Sequence, residues 1–173
     1  YNTYPLPAYG GSQEGAIALW LVSDFLIEGN VVAGQVADRG AGLSLQSCVA
    51  GQVLNNLIVD NRAQFASPGG SGMGGGIDCM VNLNATHLVI AHNTLVGNSA
   101  PALFGSELGG AIALTLVRSN LTLANNLIVS NSSGIWRHPS FAPLPTLRNN
   151  CVHNTNGVNY LNLAPDPTDF SVD

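Results

Sequence analysis

The feature that most constrains this chain is an asparagine recurring in one fixed context. Four segments read GAIALWLVSDFLIEGNVVAG, GAGLSLQSCVAGQVLNNLIVDN, GGGIDCMVNLNATHLVIAHNTLVGN and GGAIALTLVRSNLTLANNLIVSN, and a shortened fifth reads PLPTLRNNCVHN. Aligning Asn30, Asn56, Asn93, Asn126 and Asn150 brings the flanking columns into register. Two residues later stand Val32, Ile58, Leu95, Ile128 and Val152, and three residues earlier stand Ile27, Val53, Ile90, Leu123 and Leu147. Five residues later stand Asn61, Asn98 and Asn131. The opening run of a segment alternates too, Ile17, Leu19 and Leu21 matching Ile112, Leu114 and Leu116. A period of two marks a strand with one buried face. Strands this short, recurring about every 23–35 residues, must bury that face against their own copies, which makes a solenoid.

The asparagine suits this role chemically. It tolerates the left-handed backbone of a sharp corner. Its amide both donates and accepts, so Asn above Asn can bond along the stack and satisfy a buried polar row. Composition removes the competing classes. With 46% hydrophobic and 9% charged residues the chain is too apolar for disorder. It has no lysine, which a helical protein would carry on its solvent faces, and its 20 glycines favour tight turns. The expectation is an all-β, parallel solenoid of about five coils with an Asn ladder, forming one domain over residues 1–173.

A net charge of −5 with five scattered arginines argues against a nucleic-acid partner. No apolar run reaches the roughly 18–20 residues of a membrane helix. Cys48, Cys79 and Cys151 form neither a disulfide framework nor a zinc spacing and read as small buried residues. A start of YNTYPLP without Met or leader, and an abrupt end at Asp-Val-Asp, suggest a segment of a longer chain.

The phrase GGGI…I-x-NNTL-x-GNSA, carried by Gly75 to Ala100 and again from Gly109 to Ser133, resembles the right-handed parallel β-helix repeat proteins of the pectate-lyase-like superfamily. The tail NNCVHNTNGVNYLNLAPDPTDFSVD is similar to the end of bacterial secreted members, where a final coil runs into an Asp-Pro step. The resemblance covers nearly the whole chain. It implies right-handed coils and an extracellular or cell-surface setting. For activity it implies less, because the group holds lyases, hydrolases, epimerases, phage spikes and proteins without known activity.

Long connections follow Asn61, Asn98 and Asn131, so residues 62–74, 99–109 and 132–143 are expected to emerge along one edge as a binding ridge. They carry Arg62, Phe104, Trp136, Arg137 and His138, groups suited to stacking on sugar rings and pairing with uronate carboxylates. The alternative for Phe65, Phe104 and Phe141 is that they cap the core beneath their loops. Matching outward positions read Ala18, Ser44, Asp78 and Ala113, so an ice-binding threonine rank is missing.

Catalysis would need paired carboxylates, or Ca²⁺-binding acids with a base. Asp24 aligns with Ala50, His87 and Asn120, and Asp60 aligns with Gly34, Gly97 and Ser130, so no column holds two acids. No arginine has an evident acidic cluster beside it. Asp78, His87 and His92 with Glu107 remain as the catalytic candidates, for a lyase or glycoside hydrolase. No cofactor is expected, since Ca²⁺ would need an acid cluster. The function that follows is a secreted module binding polysaccharide, within a larger carbohydrate-active protein. Its alternative is a structural rod, adhesin, spike or filament segment whose partners are other coils of the same or a neighbouring protein.

Overall fold

The computed structural model describes residues 15–64, 72–80, 87–100, 102–103, 106–115, 120–140 and 144–171. The alternating runs become strands that climb in three parallel sheets. The first holds Ile17–Trp20, Leu43–Gln46, Ile77–Met80, Ile112–Leu114, Ile135–Arg137 and Tyr160–Leu161. The second holds Phe25–Glu28, Ala50–Leu54, His87–Ala91, Leu121–Ala124 and Thr146–Arg148. The third holds Val31–Ala33, Leu57–Val59, Thr94–Val96, Leu127–Val129, Cys151–His153 and Phe170–Ser171. Each coil visits the three sheets in order, which is a parallel β-helix.

The register is the one the columns imply. Ile27, Val53, Ile90, Leu123 and Leu147 stack in the second sheet, and Val32, Ile58, Leu95, Ile128 and Val152 in the third. All ten are buried, and they form one core with Leu43, Leu45, Ile77, Cys79, Ile112 and Leu114 of the first sheet. Burial of the thiol pushes the Cys79 pKa well up.

The paired asparagines divide two tasks. The first residue of each pair turns the corner: Gly29, Asn55, His92, Asn125 and Asn149 all have positive φ. The second enters the stack and is buried at Asn56, Asn93, Asn126 and Asn150. The left-handed backbone thus belongs to the residue before the ladder, not to the ladder residue. From Asn30 to Asn150 each Nδ2 donates to Oδ1 of the next coil's asparagine at 2.9–3.1 Å. That same oxygen also accepts the preceding coil's backbone N–H.

The ladder ends on a carboxylate. Asp169 occupies the sixth position, its Oδ1 accepting from Asn150 N and Nδ2 at 2.8 and 3.1 Å. Its Oδ2 accepts from Tyr160 Oη and Asp166 N at 3.0 and 3.2 Å. A side chain with no donor can receive the row but not pass it on, so the polarity stops there. A second ladder runs through Asn61, Asn98, Asn131, Asn154 and Asn159 to the Ser171 hydroxyl, with Gln35 donating its backbone N–H at the start.

The glycines that open each segment mark a close approach of backbones. A Cβ on Gly75 would lie 2.3 Å from the Ser99 carbonyl oxygen and 2.6 Å from that of Gly110. Neither oxygen can retreat without moving a coil. Gly75→Ala is expected to cost about 2 kcal/mol, as overpacked sites do, read as a lowered denaturant midpoint with unchanged slope. A variant as stable as the parent would contradict the packing.

Candidate functional site

The outward column of the first sheet runs Ala18, Ser44, Asp78, Ala113, Trp136 and Leu161. Ser44, Asp78 and Ala113 face away from the core yet are fully buried, and Trp136 is only 6% exposed. Asp78 is the buried charge here. Its Oδ1 accepts from the Thr115 hydroxyl, and its Oδ2 accepts from Arg39 Nε at 2.7 Å. Arg39 Nη2 lies 2.6 Å from the same oxygen as a charge contact without hydrogen-bond alignment. The columns set no acidic cluster beside an arginine, and the structure adds this single Arg39–Asp78 pair, which they did not reveal. Arg39 stands one coil earlier, where its backbone bridges to Met73, so 39 residues of sequence hide the contact. A carboxylate with both oxygens engaged serves as a structural anchor and is poorly placed as a general base.

The remaining catalytic candidates do not converge on Asp78. His87 begins a strand of the second sheet and is exposed. His92 is an exposed corner residue of positive φ, 3.4 Å from Asn125. Histidine is among the residues that tolerate this conformation, which gives His92 a structural role. Glu107 lies in a short antiparallel pair, Ala102–Leu103 with Ser106–Glu107, and its side chain lies outside the described residues. Among the described residues, no three His, Cys, Asp or Glu side chains gather as a metal site.

The candidate ligand contacts are placed unevenly. Arg62 is exposed in a short strand, Arg62–Ala63, paired with Val36–Ala37 and bridged to Ser99. Phe104 lies outside the described residues. Trp136 and Arg137 are not in a loop, because Ile135–Arg137 is a strand of the first sheet, reached through the short link Ser132–Ser133–Gly134, and His138 follows directly after it. Trp136 packs edge-on against His138, with ring centroids 5.8 Å apart at 75°. Little of its ring face is left to stack on a sugar. Arg137 Nε donates to the Asn162 carbonyl at 3.1 Å, and His138 Nδ1 accepts from Ser140 N at 3.2 Å.

The second sheet carries a site the columns did not reveal. An open groove of about 560 Å³ on its outer face is lined by Asp24, Leu26, Glu28, Ala50, Gln52, Leu54 and His87, with Phe25 and Gly51 at its floor. Leu26 and Glu28 alternate along one strand and so project on one side, and Asp24 stands at the positive-φ corner just before that strand. Ala50 separates Asp24 from His87 in their column, and small residues there leave the dent. Glu28 accepts from Asn55 Nδ2 at 3.1 Å. The groove thus offers hydroxyl-binding groups around apolar Leu26 and Leu54. Reading acids along a coil, corner included, as well as down columns would have found it.

No curated protein and no solved structure matches the chain. A family model described as the right handed beta helix region matches residues 11–167. The chain therefore belongs to the right-handed β-helix family.

Proposed function

We propose that this protein is an extracellular β-helix module that binds polysaccharide, and that the groove on the second sheet is its principal contact. The supporting observation is the company of side chains there: two carboxylates, an amide and an imidazole around an apolar strip, on an exposed and regular surface. Such groups exchange hydrogen bonds with sugar hydroxyls, and the apolar strip accepts the C–H face of a ring. Asp24 and Glu28 repel uronates and favour neutral or amino sugars. Arg62, in the short two-stranded pair that follows the third sheet, would contact a chain that continues around the coil.

A binding panel of neutral, amino-sugar and uronate polymers, with product release followed in parallel, tests the reading. The neutral or amino class is expected to bind without cleavage. The double variant Gln52→Ala/His87→Ala should weaken that binding at least about tenfold, the loss of roughly one or two hydrogen bonds, and leave the melting temperature unchanged. Absence of binding across the panel, or binding indifferent to the double variant, would remove the groove from the mechanism.

A further inference from the structure

The third sheet turns an unusual face outward. Along its six rungs the outward residues of the first column are Val31, Leu57, Thr94, Leu127, Cys151 and Phe170. The second column continues Ala33, Val59, Val96, Val129 and His153. Neither column holds Asp, Glu or Arg, in a chain of net charge −5. Val31 is 71% exposed, Leu57 39%, Leu127 41% and Phe170 62%. Five rung spacings by three residues give a strip roughly 24 Å long and about 10 Å wide. Continuous apolar strips on soluble proteins mark interaction sites.

We propose that this face binds a second copy of the chain, the two solenoids running antiparallel about a two-fold axis along the strand direction. That axis sets rung one against rung six, two against five, and three against four. The side-chain sizes then interlock. Leu57 meets the smaller Cys151, Leu127 meets the smaller Thr94, and Phe170 meets the smaller Val31. Polar groups agree as well: His153 in rung five is brought to rung two, where the exposed corner residue Asp60 offers carboxylate oxygens to an imidazole N–H. A partner of other composition would need an equally long uncharged strip, whereas a second copy supplies one of matching length and spacing by symmetry. The modest area places the dimer among weak, concentration-dependent associations.

Sedimentation from low-micromolar to near-millimolar concentration reads the assembly directly. The mass is expected to rise towards twice 17.9 kDa, with Leu57→Glu raising the dissociation constant at least a hundredfold at an unchanged melting temperature. The register has its own readout. Cys48 and Cys79 are buried, so Cys151 is the thiol available on this face. Leu57→Cys should be joined by a short bismaleimide to Cys151 of the second copy, while the parent protein is not joined. A monomer at every concentration overturns the proposal, as does a dimer that survives Leu57→Glu. Cross-linking of the parent through Cys151 alone would overturn the antiparallel arrangement.

Discussion

Asn126→Ala is expected to destabilise the protein by about 3 kcal/mol, although it removes neither a charge nor any apolar volume. Asn126 Nδ2 donates to the Ile90 carbonyl at 2.9 Å and to Asn150 Oδ1 at 2.9 Å. Its own Oδ1 accepts from Asn93 N at 3.0 Å and Asn93 Nδ2 at 3.1 Å. Truncation takes a partner from four buried groups; Asn150 Oδ1 keeps Asn126 N and Asn93 Nδ2 keeps the Val53 and Ala91 carbonyls, so the cost falls mainly on Asn93 N and the Ile90 carbonyl, at about 1–3 kcal/mol each. Water entering the cavity would recover part of this, hence a figure below the sum. The neighbouring Asn125 makes the control. It has φ of 54° and turns the corner, so Asn125→Gly should be nearly neutral while Asn125→Ala is strained. Denaturant titration of the three variants separates ladder from corner. A cost below about 1 kcal/mol for Asn126→Ala would mean that the row is decorative and the apolar columns alone hold the stack.

The same row shows why the fold was legible and where legibility ended. A ladder demands the same residue at the same point of every coil, so Asn56, Asn93, Asn126 and Asn150 align in sequence despite spacings of 37, 33 and 24 residues. Apolar columns carry the same constraint. Asp169 escaped notice because a terminator differs from its column by necessity. Asn154 and Asn159 extend the second ladder only five residues apart in sequence, a coil too short for the pattern. The residues of the outer faces repeat only in part, as at Val59, Val96 and Val129 of the third sheet, since they answer to solvent and partners. Arg39 with Asp78, and Asp24 with Glu28 and His87, are one-time meetings that the coil geometry creates. Trp136 read as a ridge residue because its coil lacks a long link, and the strand holding it was mistaken for one.

Arg39→Ala is the variant that tests whether the meeting of Arg39 and Asp78 anchors the first sheet. Asp78 is fully buried and Arg39 retains 16% exposure, so truncating the arginine removes the cation from a buried carboxylate whose Oδ1 accepts from the Thr115 hydroxyl. Breaking a buried pair in this way costs about 3–5 kcal/mol, and a value near 4 is expected. Asp78→Leu with Arg39→Met removes both charges and keeps their volume. That double variant should fall within about 1.5 kcal/mol of the parent, because a buried ion pair gains little over an apolar replacement. The contrast matters more than either value. If the double variant is as unstable as Arg39→Ala, then Asp78 holds the covering connections through contacts that leucine lacks, and the pair specifies the arrangement of that face. If it matches the parent, the pair is a charge that burial made necessary to neutralise, and the first sheet's outer face is held by Trp136 and its apolar neighbours.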